Sequence, residues 1–445
     1  KIEDLRKRIL YTLGIILIYR IGSYVVLPGI DPDGLAALQN QASDGLLGLI
    51  NMFSGGAFSN ASVFALGIMP YISASIVVQL LGMAIPYFQK LQREGESGRR
   101  KINQITRYLT VIILLFQAPA YIKNVVGQMP PGSIYPFSMD AVSVSVFSFF
   151  GLSSIVMLTA GSMFIMWLGE RITDKGIGNG ISLLIMVGII ARLPFALVAE
   201  FAGRMESQGG GLVIFLVEMI VLVFVVLVSI LLVQGTRRVP VQFAKRVVGN
   251  KQYGGVRQYV PLKVNAAGVM PIIFAQAIMF LPITLMGFSS SGSMSGVAQA
   301  FANPNGFWYN FVFAILIILF TYFYTAITFN PTQMAEEMKK NGGFIPGIKP
   351  GKRTAQYLDN ILSKITLPGS IFLAFVAVLP AIVSLAGVNA QFAQFYGGTS
   401  LLIMVGVVLD TLQQIESHLL MRHYDGLTKS GRIKGRAGGA MGMSA

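Results

Sequence analysis

Cysteine is absent from the 445 residues, and histidine occurs only twice, at His418 and His423. The chain can therefore form no disulfide, no thiolate metal site and no cysteine nucleophile. Charge is also scarce, because Asp, Glu, Lys and Arg make up 12% of the residues, whereas a soluble domain carries about 25%. These deficits exclude an ordinary soluble enzyme and a charged, disordered scaffold.

Apolar residues are correspondingly abundant, at 54% with a mean hydropathy of +0.66. Residues 45–89, 141–169, 264–335 and 365–409 contain no charged side chain. In lipid only helices and closed barrels satisfy all backbone groups, and barrel strands would alternate in polarity. The sequence thus predicts an all-α membrane protein whose first apolar run is a retained span rather than a cleaved signal. Ten spans are predicted, at 9–27, 66–88, 104–123, 149–169, 180–199, 212–235, 268–287, 307–328, 366–386 and 399–420.

Basic residues are distributed very unevenly between the two sides of these spans. With the N-terminus placed in the cytoplasm, 30 of the 34 Lys and Arg residues lie in cytoplasmic segments. Cytoplasmic loops of membrane proteins carry this excess, so both termini are predicted to be cytoplasmic. The four exceptions are Arg20, Lys123, Arg192 and Arg204.

A short motif, G-x-M-P-x-I, occurs twice, at 67–72 and at 268–273. The copies open the second and seventh spans and are five spans apart, so they cross the membrane in opposite directions. This indicates two inverted halves, unless six residues in apolar helices coincide by chance. We expect an N-terminal half at 1–200, a C-terminal half at 201–420 and a cytoplasmic tail at 421–445.

Catalytic motifs are missing from the sequence. It contains no phosphate-binding P-loop, no H-E-x-x-H and no G-x-S-x-G. The glycines at 176–180 are better explained by a tight turn than by nucleotide binding. We expect no cofactor, no metal and no enzymatic activity, so any energy source is external. Arg20, Glu218 and Asp410 lie near span ends, where they do not require an ion-coupled mechanism.

Several blocks resemble one family in order along nearly the whole chain. They are 53–57 with 64–76, 176–182, 261–265, 335–336, 346–348 and 397–403. In these blocks the sequence is similar to the SecY family, the central subunits of the bacterial protein-conducting channel. The resemblance implies ten helices in two pseudo-symmetric halves around an hourglass pore, with a plug helix on its outer side.

The plug implied by the resemblance lies just before the second span. The segment is too short and polar to span a membrane, as expected of a re-entrant element, although a plain external loop is the alternative reading. The residues assigned to it are Gly55, Gly56, Ala57, Phe58, Ser59, Asn60, Ala61, Ser62, Val63 and Phe64.

The resemblance also implies a ring of aliphatic side chains at the pore's waist. Isoleucine in a membrane helix ordinarily faces lipid or another helix, and only the resemblance assigns these residues to a pore. An apolar ring would exclude ions by dewetting while making no directional bonds to a passing chain. The ring residues are Ile72, Ile76, Ile185, Ile189, Ile273 and Ile403.

Family members release hydrophobic segments sideways into lipid through a lateral gate between spans two and three and spans seven and eight. The residues placed at this seam are Gln79, Gln104 and Phe280. Polar residues there are equally consistent with ordinary hydrogen bonding between helices.

Two cytoplasmic loops, 237–267 and 329–365, are strongly basic. Their charge orients the protein, and the resemblance implies that they also dock the SecA motor ATPase and the ribosome through its rRNA. Lys349 occupies the position where the family pattern has arginine. Lysine keeps the positive charge but lacks the planar guanidinium group that forms two parallel hydrogen bonds, and Arg353 is near enough in the sequence to supply one instead. The docking residues are Arg237, Arg238, Lys245, Arg246, Lys251, Arg257, Lys349, Lys352 and Arg353.

Two functions remain open from the sequence. The resemblance implies a passive channel in the bacterial plasma membrane that works with SecE and SecG and passes a signal peptide and nascent chain across, or sideways into, the lipid bilayer. The alternative is a secondary transporter for a small solute, which would place polar groups at mid-membrane. Apolar span centres favour the channel.

Overall fold

The fold is taken from a computed structural model of the chain. The structure describes residues 3–35, 51–130, 133–134, 148–206, 211–243, 246–248, 251–253, 257–265, 268–287 and 306–429. Helices dominate these ranges, and each predicted span falls on a helix. Within the described ranges, seven helices are long and apolar enough to cross a membrane alone, or eight if a bent pair counts as one span. The ten-span count itself is therefore not established by length and hydropathy.

The helices run along the chain with short connections. In order they are α1 (Glu3–Gly22), α2 (Met69–Ala84), α3 (Pro86–Arg93), α4 (Glu96–Gln128), α5 (Phe149–Lys175), α6 (Gly180–Glu206), α7 (Gly211–Gln234), α8 (Met270–Gly287), α9 (Phe307–Thr328), α10 (Pro331–Lys340), α11 (Lys352–Leu385), α12 (Ala390–Ala393) and α13 (Gly398–Lys429).

The second predicted span is shorter than expected because it breaks at Pro86. Proline has no backbone N–H and forces the preceding residue out of the helical region. Ile85 accordingly has φ −112° and ψ 123°, and the chain turns by 103° between α2 and α3. The span predicted at 66–88 is thus only α2, and α3 is a separate helix with a charged surface.

The two copies of the repeated motif share a local geometry. Gly67 has φ +57° and Gly268 has φ +64°. A helix begins two residues after each glycine, at Met69 and Met270. The copies therefore adopt the same turn into a helix, which supports the repeat over a coincidence of sequence.

Three apolar clusters hold the helices together. One lies within the N-terminal half, around α4 and α5, and one within the C-terminal half, around α8, α9, α11 and α13. The third joins α1, α5 and α6 to α12 and α13 and spans both halves. Among the described elements, α6 makes the main contacts between the halves, with α7, α12 and α13.

A small sheet forms where the two basic loops meet. Its strands are β1 (Thr236–Phe243), β4 (Arg257–Lys263) and β5 (Gly343–Phe344), in the order β4-β1-β5. A separate hairpin contains β2 (Arg246–Val248) and β3 (Lys251–Tyr253). Alternate residues Val239 and Val241 point into a core shared with α11. The two loops thus fold as one unit.

Candidate pore and plug

The third cluster contains most of the predicted ring residues. Ile185, Ile189 and Ile403 are buried in it, and Ile72 and Ile273 pack against it. These residues come from α2, α6, α8 and α13, the helices that carry the predicted second, fifth, seventh and tenth spans. The structure therefore brings five of the six isoleucines to one apolar region. Ile76 is buried on α2 but is not a member of this cluster.

The segment assigned to the plug is buried but is not helical. Residues 51–53 are helical, and turns with one isolated bridge follow up to residue 68. The expectation of a plug helix at 55–64 is therefore wrong in its secondary structure. Gly55 and Gly56 have φ values of +65° and +94°, which lie outside the right-handed helical region and end the helix. Eight of these ten residues are buried, and Asn60 and Val63 are half-buried.

Two arginines hold this segment from neighbouring helices. Arg20 on α1 donates a hydrogen bond from Nη1 to the Gly55 carbonyl at 2.6 Å. Arg192 on α6 donates from Nη2 to Ser59 Oγ at 2.8 Å. Charge-assisted bonds of this kind are stronger than neutral ones. The segment is therefore attached to two different helices by cations.

The backbone of the segment is also paired with the stretch of chain that follows α1. Leu27 N–H donates to the Ala61 carbonyl at 2.9 Å, and Val63 N–H donates to the Val25 carbonyl at 2.9 Å. On the opposite side, the Tyr121 hydroxyl donates to the Phe58 carbonyl at 2.8 Å. These bonds satisfy backbone groups that would otherwise be costly to bury.

Apolar side chains of the segment pack against the proposed ring region. Ala57 and Phe64 belong to the same cluster as Ile189 and Ile403. A β-carbon on Gly188 of α6 would lie 2.8 Å from the Phe53 carbonyl oxygen. The absence of a side chain at Gly188 therefore allows the segment to lie directly against α6, one residue from Ile189.

Two of the three predicted lateral-gate residues, Gln79 and Gln104, have described side chains. Gln79 is half-buried, and its amide donates to Ser75 on its own helix at 3.5 Å. Gln104 on α4 is exposed. Phe280 lies on α8, and its side chain is outside the described part of the structure. The described hydrogen bond of Gln79 therefore lies within α2 and does not join two helices.

The two basic loops expose their charges on β1 and β4 and at the turn that leads into α11. Six predicted docking residues are exposed: Arg237, Arg238, Arg257, Lys349, Lys352 and Arg353. Pairing of Gln242 with both Arg257 and Phe344 joins the first loop to the second. Lys245 lies outside the described residues, and the side chains of Arg246 and Lys251 are likewise not described. The described charges therefore belong to one folded unit.

Arg20 and Arg192 are functional candidates that sequence reasoning missed. The sequence did contain an indication of their importance. Both are among the four Lys and Arg residues that lie outside the predicted cytoplasmic segments. Arg20 was expected to reach the membrane surface, yet it points to the plug segment and also contacts Tyr24, 2.7 Å from its hydroxyl. Arg204, a third exception, pairs with Glu200 and Glu218.

Metal chemistry finds no support in the described residues. Across them, no group of three or more His, Asp or Glu side chains could hold a metal ion. The site is instead built from aliphatic side chains, backbone carbonyls and arginines.

Known structures share this fold. "The structure of a protein conducting channel" superposes with a TM-score of 0.62 at 19% identity, covering 94% of this chain and 93% of that one. "Sec61 in the Canine ribosome-channel complex from the endoplasmic reticulum" gives a TM-score of 0.58 at 18% identity, with the same coverage. At such identities the likeness establishes the fold alone.

Relatives with much higher identity cover nearly the entire chain. The protein translocase subunit SecY of Mycobacterium tuberculosis (strain ATCC 25618 / H37Rv) is 45% identical, over 96% of this chain and 97% of its own. The one from Chlamydia muridarum is 42% identical, over 98% of both. The family model for SecY matches residues 62–412. The resemblance seen in the sequence is thereby confirmed, and the chain belongs to the SecY family.

Proposed function

We propose that this protein is the channel subunit through which unfolded polypeptides cross the bacterial plasma membrane. The observation that carries this proposal is the third cluster, which contains Ile185, Ile189 and Ile403, has Ile72 and Ile273 packed against it, and includes Ala57 and Phe64 of the buried, turn-rich segment. The SecY relatives are named as protein translocase subunits, and translocation is the function that this arrangement serves. The protein is a channel subunit rather than an enzyme.

The waist performs two tasks through the same chemistry. Aliphatic side chains leave no partner for water or ions, so a narrow apolar constriction dewets and blocks conduction. The same side chains form no hydrogen bond to a polypeptide in transit, so they adapt to any sequence. Ile72, Ile185, Ile189, Ile273 and Ile403 are assigned this role.

The segment at 55–64 is assigned the role of the plug in the resting state. Its burial against the waist supports this, as do the bonds from Arg20 and Arg192. Opening requires those bonds to break. Because each is a single charge-assisted bond, water can replace it when the segment moves.

The exposed basic surface is proposed to bind the partners that drive translocation. SecA and the ribosome are the motors, and rRNA phosphates would contact the Lys and Arg side chains on the small sheet through counterion release. SecE and SecG complete the channel, and the signal peptide opens it. Hydrophobic segments leave into lipid at a seam bounded by α2 and α4 on one side and α8 and α9 on the other.

The membrane orientation follows from the charge distribution. Both termini and the small basic sheet are placed in the cytoplasm, and the C-terminal end of α6 faces outward. The two halves divide between α6 and α7, because α6 continues to Glu206, beyond the boundary expected at residue 200. The tail at 421–445 lies largely outside the described residues.

The secondary transporter is not supported. Its midplane polar site would occupy the region where the structure places buried isoleucines. The relatives reported above are translocase subunits rather than solute carriers.

A direct test compares two adjacent isoleucines of α6 in reconstituted channels. Ile189 is fully buried in the cluster, whereas Ile190 is 41% exposed on the same helix. Ile189→Asn should raise the resting ion conductance and permit export of preproteins with defective signal sequences. Ile190→Asn introduces the same polar group and should do neither. Equal behaviour of the two variants would contradict the assignment of the waist.

A further inference from the structure

Three charged residues form an ion-pair cluster at the C-terminal end of α6, and the translocation function does not account for it. Arg204 donates from Nε to Glu200 Oε1 at 2.8 Å and from Nη2 to Glu218 Oε1 at 2.6 Å. The side chains of Glu200 and Glu218 are 4% and 9% exposed, and that of Arg204 is 18% exposed. We refer to Glu200, Arg204 and Glu218 as the α6 clamp.

The clamp spans the junction of the two halves. Glu200 and Arg204 lie on α6, the last helix of the N-terminal half, and Glu218 lies on α7, the first helix of the C-terminal half. A buried charge requires a partner, since losing one member of a buried pair is strongly destabilising. The clamp therefore resists separation of α6 from α7 at this end.

The clamp also holds the loop that leads into α13. Arg204 Nη2 donates to the Gly387 carbonyl at 2.9 Å, and Asn389 N–H donates to Glu200 Oε2 at 2.8 Å. The Tyr396 hydroxyl donates to the Glu218 carbonyl at 2.8 Å. Three bonds thus attach residues 387–396 to the clamp residues, at a point where the loop has just left α11.

Ile403 lies a short distance beyond this attachment. Tyr396 is buried in the third cluster beside Phe392, with ring centroids 5.5 Å apart. α13 begins at Gly398, so Ile403 is five helical residues further on, about 7.5 Å along the axis. Tyr396 and Ile403 belong to the same cluster, so the attachment of Tyr396 lies close to the proposed waist.

We propose that the α6 clamp is the positioning device that sets α13 against α6 and thereby closes the waist at Ile403. Two observations carry the proposal: the clamp bonds to the loop preceding α13, and α6 itself supplies Ile185 and Ile189. Both sides of the contact are therefore held at one end by the same three charges. The proposal rests on the waist assigned above.

The test uses the fact that the chain has no cysteine. Ile189→Cys with Ile403→Cys introduces the only two thiols, and their disulfide reports the approach of α13 to α6 in the reconstituted complex. Adding Arg204→Gln should lower the rate of disulfide formation by about tenfold, a typical coupling between separated sites. It should also raise the resting ion conductance. An unchanged rate and conductance would overturn the proposal.

Arg107→Gln is the control for loss of an arginine ion pair within one half, at a site more exposed than the clamp. Arg107 makes a comparable two-bond pair with Glu170, but between α4 and α5 within one half. Its removal should leave the disulfide rate unchanged. If Arg107→Gln slows the disulfide as much as Arg204→Gln does, the effect is general destabilisation and the proposal is wrong.

A second pair of variants covers the case in which Arg204→Gln does not fold. Asn389 caps α12 with its side chain, accepting from Gln391 N–H, and its own N–H donates to Glu200. Asn389→Ala removes only the side-chain cap, whereas Asn389→Pro removes the cap and the backbone N–H that donates to Glu200. Proline fits at this position because the φ of residue 389 is −54°. Only the proline variant should slow the disulfide. Identical rates for the two variants would count against the clamp.

Hydrogen exchange separates failure of the clamp from failure of the waist. Exchange across residues 386–397 should accelerate in Arg204→Gln, irrespective of where Ile403 lies. Absence of the disulfide in the parent channel would contradict the waist, and exchange alone would then decide whether the clamp holds this loop. Faster exchange with an unchanged disulfide would show that the clamp does not position α13.

Discussion

Arg192 donates a hydrogen bond to Ser59 Oγ at 2.8 Å, and this bond joins the helix that carries Ile185 and Ile189 to the segment proposed as the plug. Arg192 is three residues beyond Ile189 on α6. One helix therefore carries two of the isoleucines assigned to the proposed waist and one of the two cationic contacts to the proposed plug segment.

Removal of both arginine contacts should release the plug segment. In Arg20→Gln with Arg192→Gln, the charge-assisted bonds to Gly55 and Ser59 are lost or weakened. We expect a higher resting ion conductance in planar bilayers. Lys123→Gln is the control, because Lys123 is an exposed basic residue of α4. A double variant that seals as tightly as the parent would exclude the arginines from plug retention.

A side chain at Gly188 should push the plug segment away from α6. The added β-carbon would lie 2.8 Å from the Phe53 carbonyl oxygen and 3.2 Å from Gly55 N, and overpacking of this kind costs about 1–3 kcal/mol. We expect the Gly188→Ala channel to have a lower melting temperature and a higher resting ion conductance than the parent. The melting temperature is measured by thermal denaturation and the leakage by ion conductance, with the same protein preparation.

Gly203→Ala is the matched control on the same helix. Nothing lies within 4 Å of a β-carbon at Gly203, and alanine is more favourable than glycine in a helix by about 1 kcal/mol. This variant should be as stable as the parent or more so, with normal sealing. Similar leakage from the two alanine variants would mean that contact with the plug segment is not the cause.

The Arg107–Glu170 pair should contribute little to stability. Arg107 donates from Nε and Nη2 to the two carboxylate oxygens, at 3.2 and 2.5 Å. The side chains are 47% and 23% exposed, so solvent screens the pair and its contribution is about 1 kcal/mol or less. A double-mutant cycle with Arg107→Gln and Glu170→Gln, followed by thermal denaturation, should give a small coupling that decreases with salt. A coupling above 2 kcal/mol would show that the pair behaves as a buried one.

Reversal of charge on the basic surface should weaken motor-driven translocation. Lys349→Glu with Arg353→Glu places two carboxylates beside the sheet where both side chains are exposed, and should reduce SecA binding and preprotein import into vesicles. Lys364→Glu, an exposed site further along α11, should have a smaller effect. Normal SecA binding by the double variant would remove Lys349 and Arg353 from the docking surface.

Some local features could be read from the sequence because their causes are local. The two G-x-M-P turns are examples, since proline and glycine act on their own and adjacent residues. Pro86 also predicts a helix break from its own chemistry. The span prediction missed this break because it considered only hydropathy. Gly55 and Gly56 likewise argue against a helix, although the resemblance had implied one.

The sequence by itself determined that this is a helical membrane protein and where its apolar helices lie, because these depend on hydropathy summed along the chain. Only the tertiary structure decided which isoleucines meet and where the exceptional arginines point. Ile189 and Ile190 are adjacent residues of the same type, and helix packing buries the first and exposes the second. Arg20, Arg192 and Arg204 find partners 35, 133 and 14 residues away along the chain, and such contacts are created by folding rather than by local sequence.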